Sequence, residues 1–323
     1  MQSYPIRFEP ILKEKIWGGD KLRTVLNKKT NATNIGESWE ISGVEGSESV
    51  VKNGTYAGLT IAELMRMSGE DFIGKKNYKQ FRNQFPLLVK FLDANTNLSV
   101  QVHPDDQMAR EEHNSFGKTE MWYIMDHDKD AEIIVGLKDE NVDKELLRSV
   151  NKSNVYDIFN SKKVSKGDAY FIPAGKVHAI GAGVLAAEIQ QTSDITYRVY
   201  DWDRRDSEGK TRELHIDQSI CATKEFYDDS KRQLPQRTNT PLTIVDCTYF
   251  TTNVIEVTKG YERDYTKLDS FIILMCVEGY AYVTVNGNTE IVQKGETVLL
   301  PAKTNKVSFF TKYAQLLEVF VST

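Results

Sequence analysis

Apolar and polar residues alternate singly over much of the chain, and the breaks in that alternation mark where other structure intervenes. Ser38-Trp39-Glu40-Ile41-Ser42 alternates between Gly36 and Gly43, with Gly46 and Gly54 at turns after it, so residues 1–60 read as β-structure. Between 60 and 83 the period changes. Thr60 precedes Ile61-Ala62-Glu63-Leu64-Met65, and Glu63 three residues on can close a capping box, so one or two short helices are expected. Phe85 to Phe91 is an apolar run interrupted only by Lys90 and predicts a strand. Leu98 to His103 sets Ser99, Gln101 and His103 on one face against Leu98, Val100 and Val102 on the other. Pro104-Asp105-Asp106 opens a short polar helix to about His113, and residues 119–136 carry two strands. Lys138 to Asn160 reads as helical, with Leu146, Leu147, Val150 and Ile158 as its apolar positions. Short strands resume from Gly167 to Trp202, and a weak helix is expected over Asp217 to Glu225. Ser230 to Pro241 is polar and holds Pro235 and Pro241, the pattern of a linker. From Leu242 onward Val, Ile, Thr, Tyr and Phe dominate, with Gly279, Gly287 and Gly295 at turns. The expected fold is mainly β, in two domains, 1–235 and 236–323. Its helical segments fall near 60–83 and 139–160.

Composition narrows the function classes. The 323 residues are 40% hydrophobic and 27% charged, ordinary for a globular chain with room for two cores. The net charge of −5, with no strongly basic segment, argues against nucleic acid as a partner. An acidic chain that binds an anion needs a local cluster of Lys and Arg. Cys221, Cys247 and Cys276 are widely spaced and unpaired in pattern, which suggests free thiols in a reducing compartment. Met1 to Pro10 lacks the apolar core of a signal peptide, and no stretch reaches the roughly 18 apolar residues that span a bilayer. The expected location is the cytoplasm, away from membranes.

Four residues carry metal chemistry. Gln101 and His103 are two apart on one strand, so both side chains point the same way. Glu120 falls on the next strand. His178 closes a loop in which Gly167, Pro173, Ala174 and Gly175 stand at fixed spacing, and this loop resembles the second motif of the cupins, a jelly-roll family. Two imidazoles, a carboxylate and a weak amide ligand suit zinc, and also iron or manganese, and leave a position open for substrate. A lone His is more often a core residue; this combination is not. His113, His127 and His215 fall in segments read as surface. Trp17, Trp39, Trp122 and Trp202 read as core aromatics, with Trp17 beside Gly18-Gly19 placed to reach a pocket rim.

Phe85-Pro-Leu-Leu-Val-Lys-Phe-Leu-Asp-Ala-Asn-Thr-Asn-Leu-Ser-Val-Gln-Val-His-Pro-Asp-Asp106 resembles the signature of class I mannose-6-phosphate isomerases. So do Gly117-Lys-Thr-Glu120, the loop from Gly167 to His178, and Glu188-Ile-Gln-Gln-Thr-Ser-Asp-Ile-Thr-Tyr-Arg-Val-Tyr-Asp201. Trp17-Gly18-Gly19 and Gly36-Glu37-Ser38-Trp39 fit the short bacterial members. The resemblance runs in order over most of residues 5–205. It implies one Zn2+ per chain on Gln101, His103, Glu120 and His178, a catalytic Arg198, and Lys90 and Ser99 at the phosphate of a sugar phosphate substrate. It also implies interconversion of mannose 6-phosphate and fructose 6-phosphate through a cis-enediol. That chemistry needs a base reaching C1 and C2, for which Glu188, Lys118 and Asp194 are the candidates. Gly295, Pro301 and Ala302 repeat the spacing of Gly167, Pro173 and Ala174, with Lys306 where His178 would stand. The expected architecture is therefore two cupin barrels, the second without metal ligands. Monomer and dimer both fit the sequence. A phosphosugar-sensing cupin and another cupin enzyme, such as a phosphoglucose isomerase or an iron oxygenase, are the competing readings. Arg198, Glu188 and Lys118 beside the ligands weigh against the sensor, and Gln101 against the oxygenase.

Overall fold

A computed structural model describes residues 1–139, 142–206, 208–224, 231–232 and 237–321. Eleven strands build the first two sheets: β1 (Ile11–Gly19), β2 (Ile35–Ser42), β3 (Leu87–Ala94), β4 (Val100–Val102), β5 (Glu120–His127), β6 (Glu132–Leu137), β7 (Phe159–Lys163), β8 (Ala169–Ile172), β9 (His178–Ile180), β10 (Val184–Gln191) and β11 (Tyr197–Tyr200). With β12 (Lys231–Arg232) they order as β1-β2-β3-β10-β5-β8-β12 in one sheet and β11-β4-β9-β6-β7 in the other. Every pairing is antiparallel.

The period of two sorts each strand. In the larger sheet Val89, Phe91, Met121, Tyr123, Ala187 and Ile189 face outward into one hydrophobic cluster. Leu92, Trp122, Ile124, Val184 and Ala186 face the second sheet, with Ile133, Val135 and Ile180 opposite them. Val100 and Val102 turn away from that interior, under the helix Ile216–Ala222. The two sheets stay open rather than closing into a barrel. Their edges at β1–β2 and β11 stand apart, and the gap holds the cavity described below.

The helices Ile61–Ile73 and Lys75–Phe81 form where the periodicity predicts them, and the Thr60–Glu63 capping box is complete. The helix expected over 139–160 does not form as one element. Lys144–Ser149 is a 3-10 turn and Val155–Ile158 a single helical turn. Asn154 explains the break: its side chain accepts from the Asn151 N–H and donates to the Ser149 carbonyl, holding the chain in a tight turn. Of the expected linker, 230–241, residues 230 and 233–236 lie outside the described residues, and Lys231–Arg232 pair with β8 as β12.

The last third forms one six-stranded sheet: β13 (Leu242–Asp246), β14 (Thr251–Asp264), β15 (Ile272–Val285), β16 (Asn288–Gln293), β17 (Thr297–Leu300) and β18 (Lys306–Phe320). It buries Ile272, Leu274, Cys276, Val283 and Leu316 within its own fold. Its other residues, among them Phe271, Ile273, Met275 and Leu317, join the cluster on the outer face of the first sheet.

Candidate active site

Register assembles the site. Along β10, Glu188 lies opposite Lys90 of β3 on one side and Trp122 of β5 on the other. All three face the gap between the sheets. Across that gap, β4 brings Gln101 opposite His178 of β9 and Arg198 of β11. A cavity of about 290 Å³ results, lined by Gln101, Lys118, Glu188, Arg198 and Ser99 among others, with Trp17 and Trp39 on its walls.

His103, Glu120 and His178 converge beside Lys118, which lines the cavity floor, and all three are buried. His178 Nε2 lies 3.1 Å from His103 Nε2 and 3.3 Å from a Glu120 oxygen; His103 Nε2 lies 3.4 Å from the other. Atoms about 2.1 Å from a tetrahedral ion stand about 3.4 Å apart, so these spacings suit one shared cation. The donor chemistry agrees. His178 Nδ1 donates to the Lys176 carbonyl at 2.7 Å, which leaves Nε2 with its lone pair facing inward. Neither Glu120 oxygen forms a well-aligned hydrogen bond among the described residues; the Lys118 ammonium faces it as an ion pair. Burial, then the Lys118 charge, pushes the His103 imidazolium down to about 3, and burial also lowers His178, so both rings are neutral and could serve a cation as ligands. Burial alone would raise Glu120, but the Lys118 charge beside it outweighs burial and holds the carboxyl well below its ordinary range.

The loop before His178 sets this geometry. Gly175 has φ of +90°, and a Cβ there would meet the Ala222 carbonyl at 2.8 Å. Its N–H donates to the His103 carbonyl at 2.9 Å, tying the two histidine segments together.

Above the floor, charges are paired. Lys118 Nζ lies 3.0 Å from Glu120 and 2.9 Å from His103 Nε2. Lys90 Nζ lies 2.8 Å from Glu188 and 4.0 Å from Glu37. Trp122 Nε1 donates to Glu188 at 2.9 Å. Burial, and next the Glu120 charge, raises the Glu188 carboxyl above its ordinary range. Asp194 stands exposed at the cavity wall. Arg198 donates to the Glu213 carbonyl at 2.7 Å, and its Nε is buried with no partner among the described residues. Its backbone N–H donates to His215 Nδ1 at 3.2 Å, so His215, read from sequence as surface, supports the strand that carries Arg198. Glu37, Lys15 and Arg212 also line the cavity and were not singled out by residue spacing. Glu37 had a signal, since it lies on the alternating segment of β2, one residue before Ser38.

Stacked jelly-roll sheets around a buried His–Glu–His cluster, with titratable side chains on the walls above it, define a cupin enzyme. The catalytic domain of type I phosphomannose isomerase matches residues 6–144, and the mannose-6-phosphate isomerase cupin domain matches residues 240–315. Mannose-6-phosphate isomerase ManA of Bacillus subtilis is 37% identical over 311 residues, covering 93% of this chain and 94% of the relative. The mannose-6-phosphate isomerase of Streptococcus mutans is 36% identical, covering 92% of each. The crystal structure of a Bacillus subtilis mannose 6-phosphate isomerase superposes with a TM-score of 0.85 at 34% identity, covering 99% of each chain. The chain belongs to the mannose-6-phosphate isomerase family, type I.

Proposed function

We propose that this enzyme interconverts mannose 6-phosphate and fructose 6-phosphate through a cis-enediol, with one zinc ion held by Gln101, His103, Glu120 and His178. The observation that carries the reading is a single cavity in which Gln101, Lys118, Glu188 and Arg198 stand over the buried His–Glu–His cluster. Zinc bound there supplies Lewis-acid polarisation of the substrate oxygens at C1 and C2. Glu188 moves the proton between those carbons; its raised proton affinity suits a base working near neutral pH. Lys90 and Trp122 hold that carboxyl in place. Arg198, whose Nε has no partner among the described residues, stabilises the negative charge of the enediolate. Lys118 lies beside Glu120 and can pass a proton to a substrate oxygen, while Asp194 at the cavity wall is the alternative base. Ser99 lines the same cavity, and Lys90 balances the charge of Glu188 and Glu37 at its inner end. Among the described residues no helix is long and apolar enough to cross a membrane.

The test is a coupled assay following fructose 6-phosphate formed from mannose 6-phosphate. Turnover that chelator removes and zinc restores is the expected result. A fully metallated protein without turnover would sink the reading.

A further inference from the structure

Charge is balanced at the floor of the cavity and unbalanced at its β11 end. Lys90 and Lys118 each have a carboxylate within 3.0 Å. At the other end three guanidiniums, those of Arg198, Arg204 and Arg212, crowd together. The ion pairs formed there among the described residues all go to one carboxylate, Asp201. Arg212 grips both Asp201 oxygens, from Nε at 2.8 Å and Nη2 at 2.6 Å. That clamp fixes the plane of the Arg212 fork and uses two of its five N–H donors, leaving three. Arg198 has no carboxylate partner, and its buried Nε has no acceptor among the described residues. Burial, and then the neighbouring Arg212 charge, disfavours the charged form of Arg198. Both arginines line the cavity. An anion between them would relieve the repulsion and accept the spare donors.

The inner end does not offer this. Lys90 lies between Glu188 and Glu37, both ionisable and buried, and a dianion placed there would meet like charge on two sides. The resemblance assigns the phosphate to Lys90 and Ser99; the charge distribution favours the opposite end.

We propose that Arg212, held rigid by Asp201, is the anchor of the substrate phosphate, with Arg198 on the inner side of that group. The inference rests on the reading that the substrate is a sugar phosphate. Asp201 is a positioning residue, since it acts through Arg212.

Direct binding keeps the test independent of turnover. Inorganic phosphate is titrated calorimetrically into the zinc-loaded protein and into R212A and R212K. Loss of charge-assisted bonds to one phosphate predicts a dissociation constant about tenfold to a hundredfold weaker in R212A. R212K is expected between, because it keeps charge but loses the fork. In the coupled assay, KM for mannose 6-phosphate rises in step, while kcat stays within about threefold. Unphosphorylated mannose, used as a competitive inhibitor, keeps its inhibition constant. Unchanged phosphate affinity in R212A overturns the proposal, as does equal weakening of phosphate and mannose, which is the mark of a merely structural role. A wild-type protein that binds phosphate through Arg212 but does not turn over mannose 6-phosphate counts against the activity and leaves the anion site standing.

Discussion

Proton transfer at carbon needs a carboxyl whose proton affinity lies nearer neutrality than a solvated Glu provides, and Glu188 has that character because it is buried beside Glu120. Only its ionised form accepts a proton. kcat/KM should therefore fall as pH drops through the raised Glu188 pKa, at a pH above the ordinary carboxylate value of about 4.3. Glu188→Gln should remove that acid limb and lower kcat by about a hundredfold to ten-thousandfold, with zinc content unchanged. A variant retaining a tenth of the wild-type rate would take Glu188 out of the mechanism. His178→Ala should abolish stoichiometric zinc binding in a metal assay, whereas Arg198→Ala should keep the zinc and lose most of the rate. Glu37 makes a different contribution. Burial alone would raise it, but Lys90 and Lys15 overcome burial and hold it down to about 2. A group depressed in the folded state stabilises above its unfolded pKa of about 4.5 and loses that stabilisation as pH falls from there towards 2. Glu37→Gln should cost about 2–3 kcal/mol at pH 7. Urea unfolding should show the gap to wild type narrowing below about pH 4.5.

At the level of elements, residue spacing was informative wherever one strand or loop sufficed. The alternation around Gln101 predicted its face correctly, and Val100 and Val102 do turn to the opposite cluster. Leu98 does not follow them, because the strand begins only at Val100 and Leu98 packs with Trp17 between the sheets. The Thr60–Glu63 box was legible because its hydrogen bonds are local. The stretch after Lys138 was not, since apolar spacing alone does not reveal that Asn154 closes a turn. The Gly175 turn offers an element-scale test. Gly175→Val needs a positive φ and drives a side chain into the Ala222 carbonyl, so the His103 and His178 segments must separate. Zinc affinity should fall about tenfold to a hundredfold in a chelator competition. Thr60→Ala, at the cap of Ile61–Ile73, should instead cost about 1 kcal/mol and leave zinc affinity unchanged.

Across the whole molecule, one hydrophobic cluster joins the N-terminal sheet, the helix Ile61–Ile73 and the C-terminal sheet. Phe85 and Phe271 meet within it, with ring centroids 4.7 Å apart. Ile6 and Leu299 exchange backbone hydrogen bonds across the same boundary. We therefore expect the halves at 1–235 and 236–323 to unfold together, in one calorimetric transition. Phe271→Ala should lower the stability of both by about 3–5 kcal/mol. Two separate transitions, with only the later third affected, would mean that the shared cluster does not couple the halves.

The sequence by itself determined most strands, the helices after Thr60 and the residue types of the His–Glu–His cluster, because alternation, capping and the Gly–Pro–Gly loop act within a few residues. It also determined the family, through motifs in order along the chain. Only the tertiary structure decided which charges meet: Lys90 with Glu188 and Glu37, Lys118 with Glu120, and Arg212 with Asp201. Those pairings depend on strand register across two sheets and on loops distant in sequence. Coulomb energy depends on distance in space, which residue spacing does not record.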